Sequence, residues 1–190
     1  MKYFYLSIIP ALWLAWLSYW IVAAAGAKEI ARRESIASRA SHLVPLILGG
    51  VFLGVPHILG GTLEGRFHVR SLAWFWFSVA LIVLGLGFSV LARGWLGGNW
   101  SGTVTLKQDH QLIRSGPYAY ARHPIYTGLL LALFGSALAI GRWRTLVALA
   151  LLIAALIRKI TIEERFMDQE FGADYARYRA EVAALVPYLL

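Results

Sequence analysis

Five long apolar runs, at about residues 4–25, 43–60, 72–91, 124–140 and 145–158, constrain this chain more than anything else in it. Crossing a bilayer's hydrocarbon core as a helix takes roughly 20 apolar residues. No water reaches backbone N–H and C=O groups there, and a helix satisfies them within one segment. The runs therefore predict an all-α, polytopic membrane protein with about five transmembrane helices. Composition agrees, at 59% hydrophobic and 15% charged, against about half and a quarter in soluble domains.

The first run, from Tyr3 to Ala25, is longer than the 7–15 apolar residues usual in a signal peptide and reads as a first span. Only Gly141-Arg142-Trp143-Arg144 separates the fourth and fifth runs, so these predict a helical hairpin. No Pro or Gly interrupts the fifth run before Asp168, and its helix is expected to continue past the bilayer surface. After Phe171-Gly172, the residues around Tyr175 and Tyr178 read as an amphipathic tail helix. Residues 1–91 then form a three-helix membrane region. Residues 92–190 carry the loop, hairpin and tail, as the cofactor-binding and catalytic region of one integrated domain. Gly128 and Gly135 would permit close helix contacts.

The net charge is +8, but the cations sit at the ends of apolar runs, where they contact headgroups and set topology rather than bind nucleic acid. Lys2, Arg66, Arg70, Arg142 and Arg144 fall on one side; the other thirteen Lys and Arg fall on the opposite side. The positive-inside rule makes that richer side cytoplasmic, with the N-terminus outside and the C-terminus inside. The two longest polar stretches, 92–123 and 159–190, lie there, and long loops tend to carry function. With no cysteine, disulfides, zinc-thiolate sites and cysteine nucleophiles are excluded. The five histidines have no zinc-ligand spacing, so no metal is expected. His57, after Pro56 in the second run, reads as an interfacial anchor.

Two polar stretches hold the candidate chemistry. Pro124 suits the first turn of the fourth helix. Arg122 and His123 would stand at its mouth, where free N–H groups and the helix dipole favour an anion. Arg122 adds a bidentate clamp for a carboxylate or phosphate. The alternative is that both are interfacial anchors beside a belt of Tyr118, Tyr120 and Tyr126. In the second stretch, Lys159 and Glu163 share a helix face at i, i+4, and Glu164 is turned away by about 100°. The alternative there is a solvated face with a weak ion pair.

Together the stretches resemble the isoprenylcysteine carboxyl methyltransferase family and the related phospholipid N-methyltransferases. The resemblance rests on His110-x-Leu112-Ile113-x-x-Gly116-Pro117-Tyr118, then Arg122-His123-Pro124-x-Tyr126-x-Gly128. Glu163-Glu164, Phe171-Gly172-x-x-Tyr175-x-x-Tyr178 and Pro187 follow in order, so that it covers residues 95–190. It implies an S-adenosylmethionine pocket, with S-adenosylhomocysteine as product. His110, Gln111, Leu112, Ile113, Tyr118, His123, Pro124, Ile125, Tyr126 and Glu163 would contact the cofactor. Arg122, Lys159 and Glu164 are the implied catalytic set. Lys159 stands where the family has a substrate-facing Arg, and Thr105 is nearest to its upstream Gln. The implied partners are membrane lipids and a lipophilic or prenylated substrate.

A carboxylate acceptor needs a cation to place it, which Lys159 or Arg122 could supply. An amine acceptor needs a base, for which Glu163 or Glu164 is the candidate. A non-catalytic lipid-binding scaffold is the competing class. The enzyme predicts that Tyr118, His123 and Glu163 converge on one cavity, and the scaffold that they point apart.

Overall fold

The structure is a computed structural model that describes residues 2–26, 30–58, 60–69, 71–100, 105–107 and 111–187, with backbone alone at 2–6, 30–33 and 105–107. In chain order the elements are α1 (Lys2–Ala24), β1 (Ile30–Arg33), α2 (Ile36–Gly54), α3 (Leu72–Leu96), β2 (Thr105–Lys107), α4 (Pro124–Ile140), α5 (Trp143–Phe171) and α6 (Ala173–Glu181). Among the described residues, four helices are long and apolar enough to cross a membrane, and α4 is a shorter apolar helix. The protein is an integral membrane protein with the expected helical architecture. It adds one feature to an all-α fold: β1 pairs antiparallel with β2, with a bulge between Ile30 and Arg32.

Burial follows the logic of a bilayer. Leu14, Ile21, Val22, Leu84 and Ile157 are exposed, whereas Ser78, Ser89, Ala132, Ser136 and Ala148 are buried. Large apolar side chains facing outward and small ones facing inward suit helices that meet each other closely in lipid. The contact of α3 with α4 is the tightest case. A Cβ on Gly85 would lie 2.4 Å from the Gly128 carbonyl oxygen, and one on Gly128 would lie 2.4 Å from that of Gly85. Gly135 makes a similar approach to the Ser78 carbonyl, at 2.8 Å. From α1, Trp13 and Trp16 pack on this pair, their indole N–H groups donating to Ser136 Oγ and Ser89 Oγ at 3.0 and 2.8 Å.

The turn between α4 and α5 is as short as expected, with Gly141 in the left-handed region at φ 66°. The two helices find their broadest packing elsewhere, α4 on α3 and α5 on α2. With 29 residues at 1.5 Å each, α5 is about 44 Å long, well beyond a hydrocarbon core of roughly 30 Å. It continues through Glu163 and Glu164 to Phe171 without a break.

The second span departs from expectation. It runs over Ile36–Gly54 rather than 43–60. Ser35 caps its start, accepting from the Ser38 N–H. Pro56 biases Val55 out of the helical region, and the helix stops at Gly54. His57 accordingly lies outside the span, in a turn at φ 62°, its N–H donating to Glu64 Oε1 at 2.9 Å.

The ends of the bundle differ in character. At one end Glu64 pairs with Arg142 and Arg144, each at 3.2 Å, and the Arg144 guanidinium donates to the Phe52 and Leu53 carbonyls. Those carbonyls belong to the last turn of α2, which has no intrahelical donor for them. At the opposite end, Arg93 donates to the Ala23 and Gly97 carbonyls at 2.8 and 2.6 Å and covers the Trp100 ring. This end holds β1, β2, the loop before α4 and α6, and here the polar residues gather.

Candidate active site

Short turns and the tail build the polar face. Gly116–Ala119 form a single 3-10 turn with Pro117 inside it, and Pro124 then starts α4 directly after His123. The segment after α6 lies along this start as a strap. Arg122 N–H donates to the Ala183 carbonyl and His123 N–H to that of Ala184, both at 2.9 Å. Thr127 Oγ1 donates to the Leu185 carbonyl at 2.6 Å. Tyr178 packs under the turn, its hydroxyl donating to the Tyr118 carbonyl at 2.5 Å.

Against this face α5 brings two carboxylates. Tyr126 OH donates to Glu163 Oε1 at 2.6 Å, and Lys159 Nζ lies 3.9 Å from the same oxygen. The His123 ring stands between the acids, Nδ1 3.5 Å from Glu163 Oε2 and Nε2 3.2 Å from Glu164 Oε1. It also lies nearly parallel to the Tyr126 ring, at 5.6 Å. Arg122 directs Nε and Nη2 to Glu164 Oε1 at 2.9 and 2.8 Å. Its Nη1 donates to the carbonyls of Arg179 and Val182.

The electrostatics follow from burial and these partners. Burial alone would lower the His123 pKa, but hydrogen bonds and charge from Glu163 and Glu164 outweigh it, and the net shift is upward. Burial chiefly, then Glu163, pushes the Tyr118 phenol up. Tyr178 is pushed up to about 12, chiefly by burial.

A cavity of about 400 Å³ opens beside this network, within the usual range for small-molecule sites. Of the residues singled out from sequence, Gln111, Leu112, Ile113, Tyr118, Ile125, Tyr126 and Glu163 line it. So do Arg122, His123 and Lys159. Tyr118, His123 and Glu163 thus converge, as the enzyme reading requires. Pro124 is buried beneath, and Glu164 turns away to hold Arg122 and His123, so neither lines the cavity. His110 lies outside the described residues, and of Thr105 only the backbone is described. An anion of the chain's own, Glu164, stands near the mouth of α4. Arg122 pairs with it while also lining the cavity.

The sequence reading missed a whole wall. Trp16 and Trp20 from α1, Arg39, His42, Leu43 and Leu46 from α2, and Asn99 with Trp100 also face the cavity. Trp16 and Trp20 stack at 4.4 Å, and Trp20 meets Trp100 edge-on at 5.9 Å. Asn99 Oδ1 accepts from the Gln111 N–H at 3.3 Å, tying the end of α3 to the loop. One signal was available: Glu34, Ser38 and His42 recur at the four-residue spacing that puts side chains on one helix face.

Residues 73–174 match the sequence profile of the phospholipid methyltransferase family. The chain belongs to that family. Among its relatives, a protein-S-isoprenylcysteine O-methyltransferase of Schizosaccharomyces pombe is 31% identical over 83 residues, which cover 43% of this chain and 35% of that protein. The cobalt-zinc-cadmium resistance protein CzcN of Cupriavidus metallidurans is 34% identical over 121 residues, 60% of this chain and 52% of that one. The chain therefore spans between about a third and a half of these relatives' length. A solved eukaryotic intramembrane Ras methyltransferase, isoprenylcysteine carboxyl methyltransferase, shares the fold. Its TM-score is 0.54 at 21% identity, covering 77% of this chain and 52% of that one.

Proposed function

We propose that this chain transfers the methyl group of S-adenosylmethionine to the carboxylate of a lipophilic, membrane-embedded acceptor of the prenylcysteine type. The convergence of Tyr118, His123, Tyr126, Lys159 and Glu163 on one cavity carries the reading. The family match and the relatives named as isoprenylcysteine methyltransferases support it.

The donor set suits the proposed cofactor. Glu163 offers an anion, and the cavity walls are mostly apolar. Gln111, Leu112, Ile113, Tyr118, His123, Ile125, Tyr126 and Glu163 would hold it, with Pro124 shaping the floor. S-adenosylmethionine supplies a methyl group already activated for displacement. The protein's task is then to align donor and acceptor and to exclude water. Tyr175 and Tyr178 of α6 close one side of the cavity, and the tryptophans of α1 with Trp100 close another. A carboxylate is ionised at neutral pH and needs no general base, so Lys159 serves to place it. Glu164 and Arg122 keep His123 and the strap in position.

By the count of Lys and Arg along the sequence, the polar end of the cavity belongs to the side that is assigned thirteen of the 18. We place it in the cytoplasm, with the N-terminus outside and the C-terminus inside. That puts a water-soluble donor and a lipid-borne acceptor at one boundary.

The test uses purified full-length protein with methyl-labelled S-adenosylmethionine. S-farnesylcysteine blocked at its amine is one acceptor, and phosphatidylethanolamine vesicles are the other. Base-labile label on the farnesylcysteine supports the reading. Base-stable label on the lipid amine would replace it with N-methylation, and no transfer to either would overturn it.

A further inference from the structure

The mechanism above leaves one buried acid–imidazole pair unused. Glu34, just before the α2 cap, has a side chain 2% exposed, and that of His42 is 8% exposed. Glu34 Oε2 accepts from Ser38 Oγ at 2.9 Å, while Oε1 makes no hydrogen bond among the described residues. His42 Nε2 stands 3.6 Å from that oxygen, and its Nδ1 is buried with no hydrogen-bond partner among the described residues. Buried polar atoms are nearly always bonded, because leaving one bare costs the whole of its lost hydration. Two such atoms on neighbouring residues mark a place built for something else.

His42 lines the cavity on the α2 wall, as does Arg39, three residues earlier. The charges that act on His42 are Glu34 and, from α5, Lys159 and Glu163. Arg158, also on α5, donates to Ser41 Oγ at 3.1 Å and fastens the two helices there. With Arg122 paired with Glu164, the cationic part of the cavity lining is where α2 packs on α5.

We propose that His42, held by Glu34, binds the acceptor's carboxylate opposite Lys159. This rests on the carboxyl methyltransferase reading above. An imidazolium has two N–H donors. One faces Glu34, and the other gains its missing partner when a carboxylate enters. Glu34 acts through His42 as a positioning residue, its carboxylate facing Nε2. The acceptor arrives ionised, so no proton moves in the transfer.

Binding measurements on the full chain in detergent test this. S-adenosylhomocysteine is titrated first, then amine-blocked S-farnesylcysteine and its carboxamide, from about pH 5.5 to 8.5 across the imidazole range. Wild-type protein is expected to prefer the carboxylate over the carboxamide by about tenfold at the acid end, a preference that fades as pH rises. His42→Ala removes the preference and its pH dependence. Glu34→Gln shifts the fade to lower pH, since the ring has lost its facing anion. S-adenosylhomocysteine affinity stays unchanged in both. Should His42→Ala fail to fold, His42→Gln keeps a neutral donor and is expected to bind with no pH dependence. A preference retained in a folded His42 variant overturns the proposal while leaving the methyltransferase reading intact. A parallel loss of S-adenosylhomocysteine affinity overturns it too, by placing His42 at the donor end. Wild-type protein that binds neither compound overturns both readings together.

Discussion

At position 163 one carboxylate serves three neighbours, accepting from Tyr126 and lying within ion-pair distance of His123 and Lys159. Replacing it with Gln keeps the volume and removes the charge on which all three depend. Glu163→Gln is expected to weaken S-adenosylhomocysteine binding about tenfold or more, equivalent to about 1.4 kcal/mol, as read by calorimetry. His123 gives a pH prediction. Its raised pKa means that the folded protein holds this proton more tightly than the unfolded chain. The stabilisation is complete below the ordinary value of 6.5 and is lost as pH rises through the raised one. Thermal midpoints measured from about pH 6 to 9 should fall more steeply in wild type than in His123→Gln. At this scale the chemistry was legible but the partners were not. The sequence offers Arg122 as a clamp for a ligand's anion, and nothing local to residues 118–128 reveals that it pairs with Glu164, 42 residues away.

Among the elements, α3 and α4 depend on bare backbone meeting bare backbone. Gly85→Val must push the helices apart, because the atoms in the way are main-chain atoms of Gly128 and Ala132. A loss of about 1–3 kcal/mol is expected from overpacking, read as a lower midpoint in a detergent unfolding series. Arg144, on α5, is the corresponding point for the end of α2. Arg144→Ala strips the last carbonyls of that helix of their donor and leaves Glu64 with one cation fewer. Breaking a buried pair by removing one partner costs about 3–5 kcal/mol, so a larger drop is expected there. Helix existence was legible from hydropathy, and the boundaries of α2 were not. Its first two turns are polar, with Ser38, Arg39, Ser41 and His42, because part of that face lines the cavity rather than lipid. The β1–β2 ladder was beyond reach, since its strands are about 70 residues apart and a few residues long.

For the whole molecule, the account requires one end of the bundle to hold all the polar machinery. The absence of cysteine makes that directly measurable. Asp174→Cys, on exposed α6, and Thr62→Cys, in the turn between α2 and α3, stand at opposite ends. In intact cells, a membrane-impermeant thiol reagent is expected to label Thr62→Cys and to reach Asp174→Cys only after permeabilisation. The cavity itself was half legible. Its motif-bearing half came from residues 111–163, while Trp16 and Trp20 are supplied by a helix whose sequence says only that it is apolar, and His42 by the polar first turns of α2.

The central claim is that Tyr118, His123 and Glu163 line a pocket for the methyl donor. Calorimetric titration of detergent-purified protein with S-adenosylhomocysteine, beside folded His123→Ala and Glu163→Ala variants, tests it most directly. Saturable binding by wild type that both variants lose is the result predicted. Absence of binding by folded wild-type protein, or undiminished binding by both variants, would contradict it.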